Sequence, residues 1–334
     1  QEDVNVVGLS SYNGGHIVVF KEGVDQLKAA GSGDIPVFGG GGGTITLADE
    51  RVMKRQGTDR IFFAGTPLDD IMALIKREYA RDPKPNAKFK GDRAIARALT
   101  MVESGLKAPA LKRTGKAKSI VVGVAGPGGA GKSTLIDELT SRFLQRVPGG
   151  RIAILANDPS HPDTHGAILG DRVSAIYAQD DRVFFRSLAT RGSLTGLSAA
   201  APAAIDILKK SGEFDLILVE SVGVGQESDP FCIFGGRKLV DATLFVLAPY
   251  YGGRIQLQKI ALLNGADFVA LNKCDHPMAH TAKAEIQARL DYNGKGQNLY
   301  PTTAAKHFDP GVTALFDALA TRAGLQIAAG QSKP

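Results

Sequence analysis

Residues Gly126 to Thr134 read "GPGGAGKST". The stretch matches G-x-x-x-x-G-K-[ST], follows the apolar run "SIVVGVA" and opens the helix-like "KSTLIDELTSRFL". Each residue type in it has a physical task. Glycines let backbone N–H groups turn inward around phosphate oxygens where a Cβ would clash. The start of the following helix adds partial positive charge. Lys132 reaches the β- and γ-phosphates, and Ser133 offers its hydroxyl to Mg2+. Gly128, Gly129, Ala130, Gly131, Lys132, Ser133 and Thr134 are therefore the candidate phosphate-binding residues, with Lys132 also catalytic.

Outward from this loop, the apolar runs "SIVVGVAG", "RIAILAND", "DLILVES", "ATLFVLAP", "DFVALNK" and "LYPTTA" alternate with helix-length segments. That is the grammar of a doubly wound parallel sheet, a P-loop α/β domain over residues 119–328. Residues 1–82 repeat the grammar on a smaller scale. "DVNVVGLSS", "IPVFGGGGG" and "DRIFFAG" read as strands, separated by "GGHIVVFKEGVDQLKAAG" and "LADERVMKRQG" and closed by "PLDDIMALIKREYARD". Three strands make a thin sheet, half a domain. Residues 83–118 form a basic connector with Pro83 and Pro85. It continues into a helix with Asp92 as N-cap, Gly105 as stop, and Ile95, Leu99 and Val102 on one face.

About 140 residues after the phosphate loop, "ALNKCDHP" ends an apolar run in Asn-Lys-x-Asp. Guanine presents two adjacent N–H donors that a single carboxylate can accept together. Asp275 suits that task, Asn272 the O6 side, and the Lys273 stem can cover the ring. Ligands bind at the carboxyl edge of such sheets, where this triplet falls. "TTAAK", Thr302 to Lys306, follows the next strand and offers backbone N–H groups at Thr303 and Ala304 to guanine O6.

Candidate hydrolysis residues lie between the two motifs. Asp158 in "LANDPS" ends a strand and can hold Mg2+ or its bound water, as can Asp171 in "ILGDR", a loop expected to move. Glu220 in "LVESVGVGQ" ends another strand and is both a metal and a catalytic candidate, with Gly223 placed to sense a γ-phosphate. Many small GTPases have Asp at the first of these positions and a water-orienting Gln after the Gly. Here they are Glu220 and Val224, and Gln226 is near but not equivalent. Arg186 and Arg191 read as further switch-loop residues.

Composition narrows the class. The 334 residues are 43% hydrophobic and 22% charged, ordinary for a folded chain with a real core. No apolar run reaches 18 residues and there is no signal peptide, so neither a membrane span nor secretion is expected. The chain opens at Gln1 without Met in strand-like sequence, so further chain is expected before it. Two cysteines, Cys232 and Cys274, form no CxxC, which fits a reducing cytoplasm rather than a disulfide framework or zinc site. The net charge of +6 is local. Residues 76–118 carry 13 Lys and Arg against 4 Asp and Glu, so the rest is net acidic. A partner-facing connector explains that better than a nucleic-acid groove.

Several motifs in order carry a family likeness: "GDRAIARALTMVES", "GPGGAGKSTLIDEL", "NDPS", "GAILGDR", "RSLATRGSLTGLS", "FDLILVESVGVGQ" and "NKCD". Over about residues 91–326 the chain resembles the G-protein chaperones of adenosylcobalamin-dependent acyl-CoA mutases, the methylmalonyl-CoA mutase chaperones of the SIMIBI class of P-loop GTPases. "GLSSYNGGH" and "VFGGGGGTI" resemble the second half of a B12-binding domain, as it occurs in the fused isobutyryl-CoA mutases, which join B12 domain, GTPase and mutase barrel. The resemblance implies a partial Rossmann-like B12 domain ahead of the GTPase, with GTP or GDP, Mg2+ and adenosylcobalamin as cofactors. It also implies an acyl-CoA mutase partner and a homodimer. It places Ser10 against the lower-ligand benzimidazole, the glycine-rich loop from Gly39 and Gly40 on the nucleotide tail, and Tyr12 and Gly65 beside them. The implied function is a GTPase that gates cobalamin loading onto, and its protection in, the mutase.

Two features depart from the family. The cobalt-ligating D-x-H-x-x-G is absent, "DTHGAI" at Asp163 coming nearest, and "QESDPFCIFGGRKLVD" is longer than the equivalent loop. The alternative is a cobalamin-binding module with GTP as an allosteric signal and no mutase. A nickel-delivery GTPase is disfavoured by the lack of a His-rich tract or Cys cluster.

Overall fold

The computed structural model describes all residues except 13, 87, 114, 116, 161–174, 194, 224–228, 233–237, 251–260 and 329–334. The chain divides into two compact units, Asp3–Lys84, and Pro85–Pro334 together with Gln1–Glu2.

The smaller unit is a parallel sheet of β1 (Val7–Ser11), β2 (Val37–Gly41) and β3 (Arg60–Phe62), in that order. Helices α1 (His16–Ala29), α2 (Leu47–Arg55) and α3 (Leu68–Tyr79) follow the strands. Phe20, Val24, Val37, Ile45, Met53 and Ile61 form its core. A capping box starts α2: Thr46 accepts from the Asp49 N–H, and Asp49 accepts from the Thr46 N–H. The expected loop at Gly39 and Gly40 is instead strand. Gly40 pairs with Ser10, and a Cβ on Gly39 would lie 1.8 Å from the Leu9 carbonyl oxygen. The glycines serve close strand approach there, and the turn begins only after Gly41. Ser10 and Tyr12 are exposed at the carboxyl edge, and Gly65 follows β3 with φ 86°.

The larger unit is a seven-stranded parallel sheet. Its strands are β4 (Ile120–Ala125), β5 (Ile152–Asp158), β6 (Val183–Ala189), β7 (Leu216–Glu220), β8 (Ala242–Leu247), β9 (Phe268–Leu271) and β10 (Leu299–Pro301). Their order is β10-β9-β8-β4-β7-β5-β6. Helices are α4 (Gly91–Glu103), α5 (Lys132–Arg146), α6 (Ala201–Ser211), α7 (Ala261–Gly265), α8 (Ala279–Asn293) and α9 (Pro310–Ala323). Separate apolar clusters cover the two faces: Val121 and Ala125 of β4 join one, Val122 and Val124 the other. Burial on both faces is why these strands read as unbroken apolar runs. The chain fills one side of β4 with β5 to β7 and then crosses to β8, so the crevice opens at the end of β4, where the glycine-rich loop begins.

Three expectations need correction here. Residues 83–118 are not all surface connector, because α4 buries Ile95, Ala96, Ala98, Leu99 and Met101 in the larger unit. Asp92 does not cap α4. The helix starts at Gly91 after Lys90, and the Asp92 carboxylate takes both oxygens to Arg151, at 2.8 and 2.9 Å. Arg186 is not in a switch loop either. It sits in β6, a strand the sequence reading missed, with its guanidinium buried against Thr100 at 3.1 Å and Glu103 at 3.0 Å. Side chains satisfy the outer edge of β6. Gln1 bonds the Val183 oxygen and the Phe185 N–H, Glu2 accepts from the Ser187 N–H, and Glu103 from the Ala189 N–H.

Candidate functional site

The loop after β4 keeps its shape through glycines at positive φ: Gly126 at 155°, Gly129 at 75° and Gly131 at 87°. At Gly131 a Cβ would come within 2.4 Å of Asn272 Nδ2, so glycine is required sterically as well. A Cβ on Gly128 would meet open space, whereas a Cβ on Gly223 would lie 2.6 Å from Gly128 Cα. Ala130 is buried in the loop's floor. Lys132 opens α5 and is 7% exposed, with Nζ donating to the Gly126 and Pro127 oxygens at 3.1 and 3.3 Å. The cation is thereby held over the concave side of the loop. Thr134 follows in the first turn of α5.

Ser133 donates to Glu220 Oε1 at 2.9 Å, linking the loop to the end of β7. Asn157 fixes that end, donating to the Glu220 carbonyl at 2.8 Å and accepting from the Ser198 N–H at 2.8 Å. Asp158 ends the neighbouring strand with its side chain fully buried, two residues past Ala156, which pairs with Glu220. Asp137 lies one helical turn beyond Ser133 and lines a small cavity with Ser133 and Glu220. Its carboxylate accepts from the Tyr177 N–H at 3.1 Å, and burial raises its pKa. Among the described residues no group of three His, Cys, Asp or Glu could by itself hold a metal. Asp171, Val224, Gln226 and the 163–168 stretch lie outside the described residues, so the structure places only part of the expected hydrolysis set. Arg191, at φ 48°, follows β6 and holds Ser160 through its N–H at 2.6 Å.

On the other side of β4, the Asn-Lys-x-Asp triplet follows β9. Asn272 is 2% exposed and its amide is committed to protein. Nδ2 donates to the Ala130 and Gly131 oxygens at 3.0 and 3.4 Å, while Oδ1 accepts from the Thr302 hydroxyl at 3.2 Å and the Ala304 N–H at 3.0 Å. Asn272 therefore ties the phosphate loop to the loop after β10 rather than reading the base edge. The Ala304 N–H offered to guanine O6 is likewise taken, and Thr303 is buried, its carbonyl accepting from the Lys306 N–H at 2.8 Å. Asp275 is exposed at the mouth. The sequence reading missed Tyr250, whose hydroxyl meets Lys273 Nζ at 2.6 Å and the Gly129 oxygen at 3.0 Å. It follows β8 at the carboxyl edge, the one signal that could have raised it.

A parallel doubly wound sheet with this loop at its reversal point, and a carboxylate-bearing triplet tied to the loop, defines a P-loop nucleotide-binding protein. The family of methylmalonyl Co-A mutase-associated GTPases, MeaB, matches residues 95–331, and the chain belongs to it. It is 33% identical over 354 residues to the fused isobutyryl-CoA mutase of Geobacillus kaustophilus, a match covering 96% of this chain and 32% of that protein. With the fused isobutyryl-CoA mutase of Cupriavidus metallidurans it shares 36% over 343 residues, covering 96% and 31%. The chain thus spans about a third of the length of these relatives.

Proposed function

We propose that the larger unit binds and hydrolyses GTP, and that this cycle gates adenosylcobalamin loading onto an acyl-CoA mutase and its protection there. One observation carries the reading: Asn272 bonds the phosphate loop directly, so Lys132 and Asp275 belong to a single site. In that site Asp275 accepts the guanine donors, the Lys273 stem covers the ring, and the N–H groups of residues 128–134 hold the phosphates. Lys132 supplies the fixed cation that stabilises charge on the transferring phosphoryl group. The oxygen donors Ser133, Glu220 and buried Asp158 fit Mg2+, which takes few protein ligands and completes its shell with phosphates and water. Bound there, Mg2+ would neutralise phosphate charge. Asp171 would join this set.

The mutase partner is supported by the fused relatives and by the family's own description. Cobalamin is the reading for the smaller unit, at the carboxyl edge carrying Ser10, Tyr12, Gly42 and Gly65. A homodimer follows from the resemblance alone. Among the described residues no helix is long and apolar enough to cross a membrane.

The test is turnover. The chain alone should hydrolyse GTP slowly, because Val224 stands where a Gln would orient the attacking water, and a mutase partner with a complete B12 domain should accelerate it at least tenfold. Lys132→Ala should hydrolyse no GTP in either condition. Equal rates with and without the partner would remove the gating role, and retained turnover in Lys132→Ala would move catalysis to another site.

A further inference from the structure

Three consecutive carbonyls of the phosphate loop are held from the base side. Asn272 takes those of Ala130 and Gly131, and the Tyr250 hydroxyl takes that of Gly129. The same hydroxyl accepts from Lys273 Nζ at 2.6 Å, and Nζ lies 5.1 Å from the Tyr250 ring centroid. His276 meets that ring edge-on at 5.7 Å. Lys273 has φ 60°, a left-handed backbone that a long side chain adopts only when its loop enforces it. The Asn-Lys-x-Asp turn therefore sets the direction in which the Lys273 side chain leaves the backbone.

A trans peptide is planar, so drawing a carbonyl to one side turns the next N–H to the other. Holding the oxygens of Gly129, Ala130 and Gly131 toward the base loop aims the N–H groups of Ala130, Gly131 and Lys132 into the concave face. The Ala130 N–H already lies there, 3.3 Å from the Pro127 oxygen. Inward N–H groups of this kind are what cradle phosphate.

We infer that Tyr250 is a positioning residue that couples recognition of the base to the grip on the phosphates, its hydroxyl relaying the placement of Lys273 to the Gly129 carbonyl. This rests on the reading of the site as a GTP site. The two bonds at the hydroxyl reinforce one another, because its oxygen accepts from a cation while its proton is donated onward. A base that draws Lys273 over its ring therefore changes how firmly Gly129 is held.

Tyr250→Phe in the full chain keeps the ring and removes the relay. Calorimetry should show GDP bound about tenfold more weakly, the size expected for one charge-assisted hydrogen bond, with guanosine affinity unchanged. Combined with Lys273→Met, the total loss should be smaller than the product of the two separate losses, since both act through one path. GDP affinity within twofold of the unmodified chain, equal weakening of GDP and guanosine, or multiplicative losses would each overturn the role. An unmodified chain that binds no GDP would sink the GTP reading itself, and this inference with it.

Discussion

In the proposed GTP site, Asp275 is the residue on which base selectivity would turn. It stands exposed at the end of a turn whose other polar members are spent on structure, Asn272 on the phosphate loop and Lys273 on Tyr250. Removing its carboxylate leaves two guanine donors unpaired in a bound nucleotide, which costs roughly 1–3 kcal/mol, or about 10- to 100-fold in affinity. Asp275→Ala should show that loss for GDP by calorimetry, and Asp275→Asn should shift preference toward a xanthine nucleotide, whose 2-oxo group accepts from an amide. Unchanged GDP binding in the alanine variant would end the assignment. Residue identity alone showed that Asn272 and Asp275 act in one motif. It could not separate them, because an Asn amide can bond a base edge or a backbone carbonyl equally well and only the position of Gly131 decides.

Among the elements, β6 and α4 are where reading and structure part. The alternation of strands and helices was legible because most strands are buried on both faces and so appear as apolar runs. In "VFFRSLA" the central Arg breaks the run, and nothing local shows that α4, more than 80 residues away, supplies Glu103 to receive it. Asp92 was misread for the related reason that its partner, Arg151, is remote in sequence. Arg186→Ala takes from Glu103 its nearer cation, at 3.0 Å, and leaves it only the exposed Arg191 at 4.0 Å; it should cost about 3 kcal/mol in urea unfolding of the larger unit. A loss under about 1 kcal/mol would mean the guanidinium is not what joins α4 to β6. In the smaller unit, Tyr79 ends α3 against Asp59 and stacks on Phe38 at 5.8 Å. Burial first, and the Asp59 carboxylate second, push its phenol from 10.0 up to about 12. The folded state thus keeps this proton longer than the unfolded chain. The stability linked to it is complete below pH 10 and is lost as pH rises through about 12. Tyr79→Phe should flatten the fall in stability between those limits; an unchanged slope would locate the titration elsewhere.

For the whole molecule, α4 decides where a working nucleotide-binding fragment can begin. Ile95 and Leu99 are 3% and 0% exposed, and each fully buried aliphatic side chain is worth about 1.5–3 kcal/mol. A fragment starting at residue 85 should bind GDP as the complete chain does. One starting at residue 119, as the sequence alone would suggest, should melt well below it or fail to fold. Equal melting of the two would show that α4 is dispensable. The side chains on the outer edge of β6 add a constraint of another kind. A parallel sheet that stops at an unpaired strand is a template on which a second sheet can grow. Here Gln1, Glu2 and Glu103 occupy the hydrogen-bonding positions at Val183, Phe185, Ser187 and Ala189 that a neighbouring molecule's strand would need. Three side chains thus act as an eighth strand that cannot be extended. Removal of residues 1 and 2 should therefore uncover the positions at Val183, Phe185 and Ser187, and light scattering of the larger unit without them should show self-association through this edge.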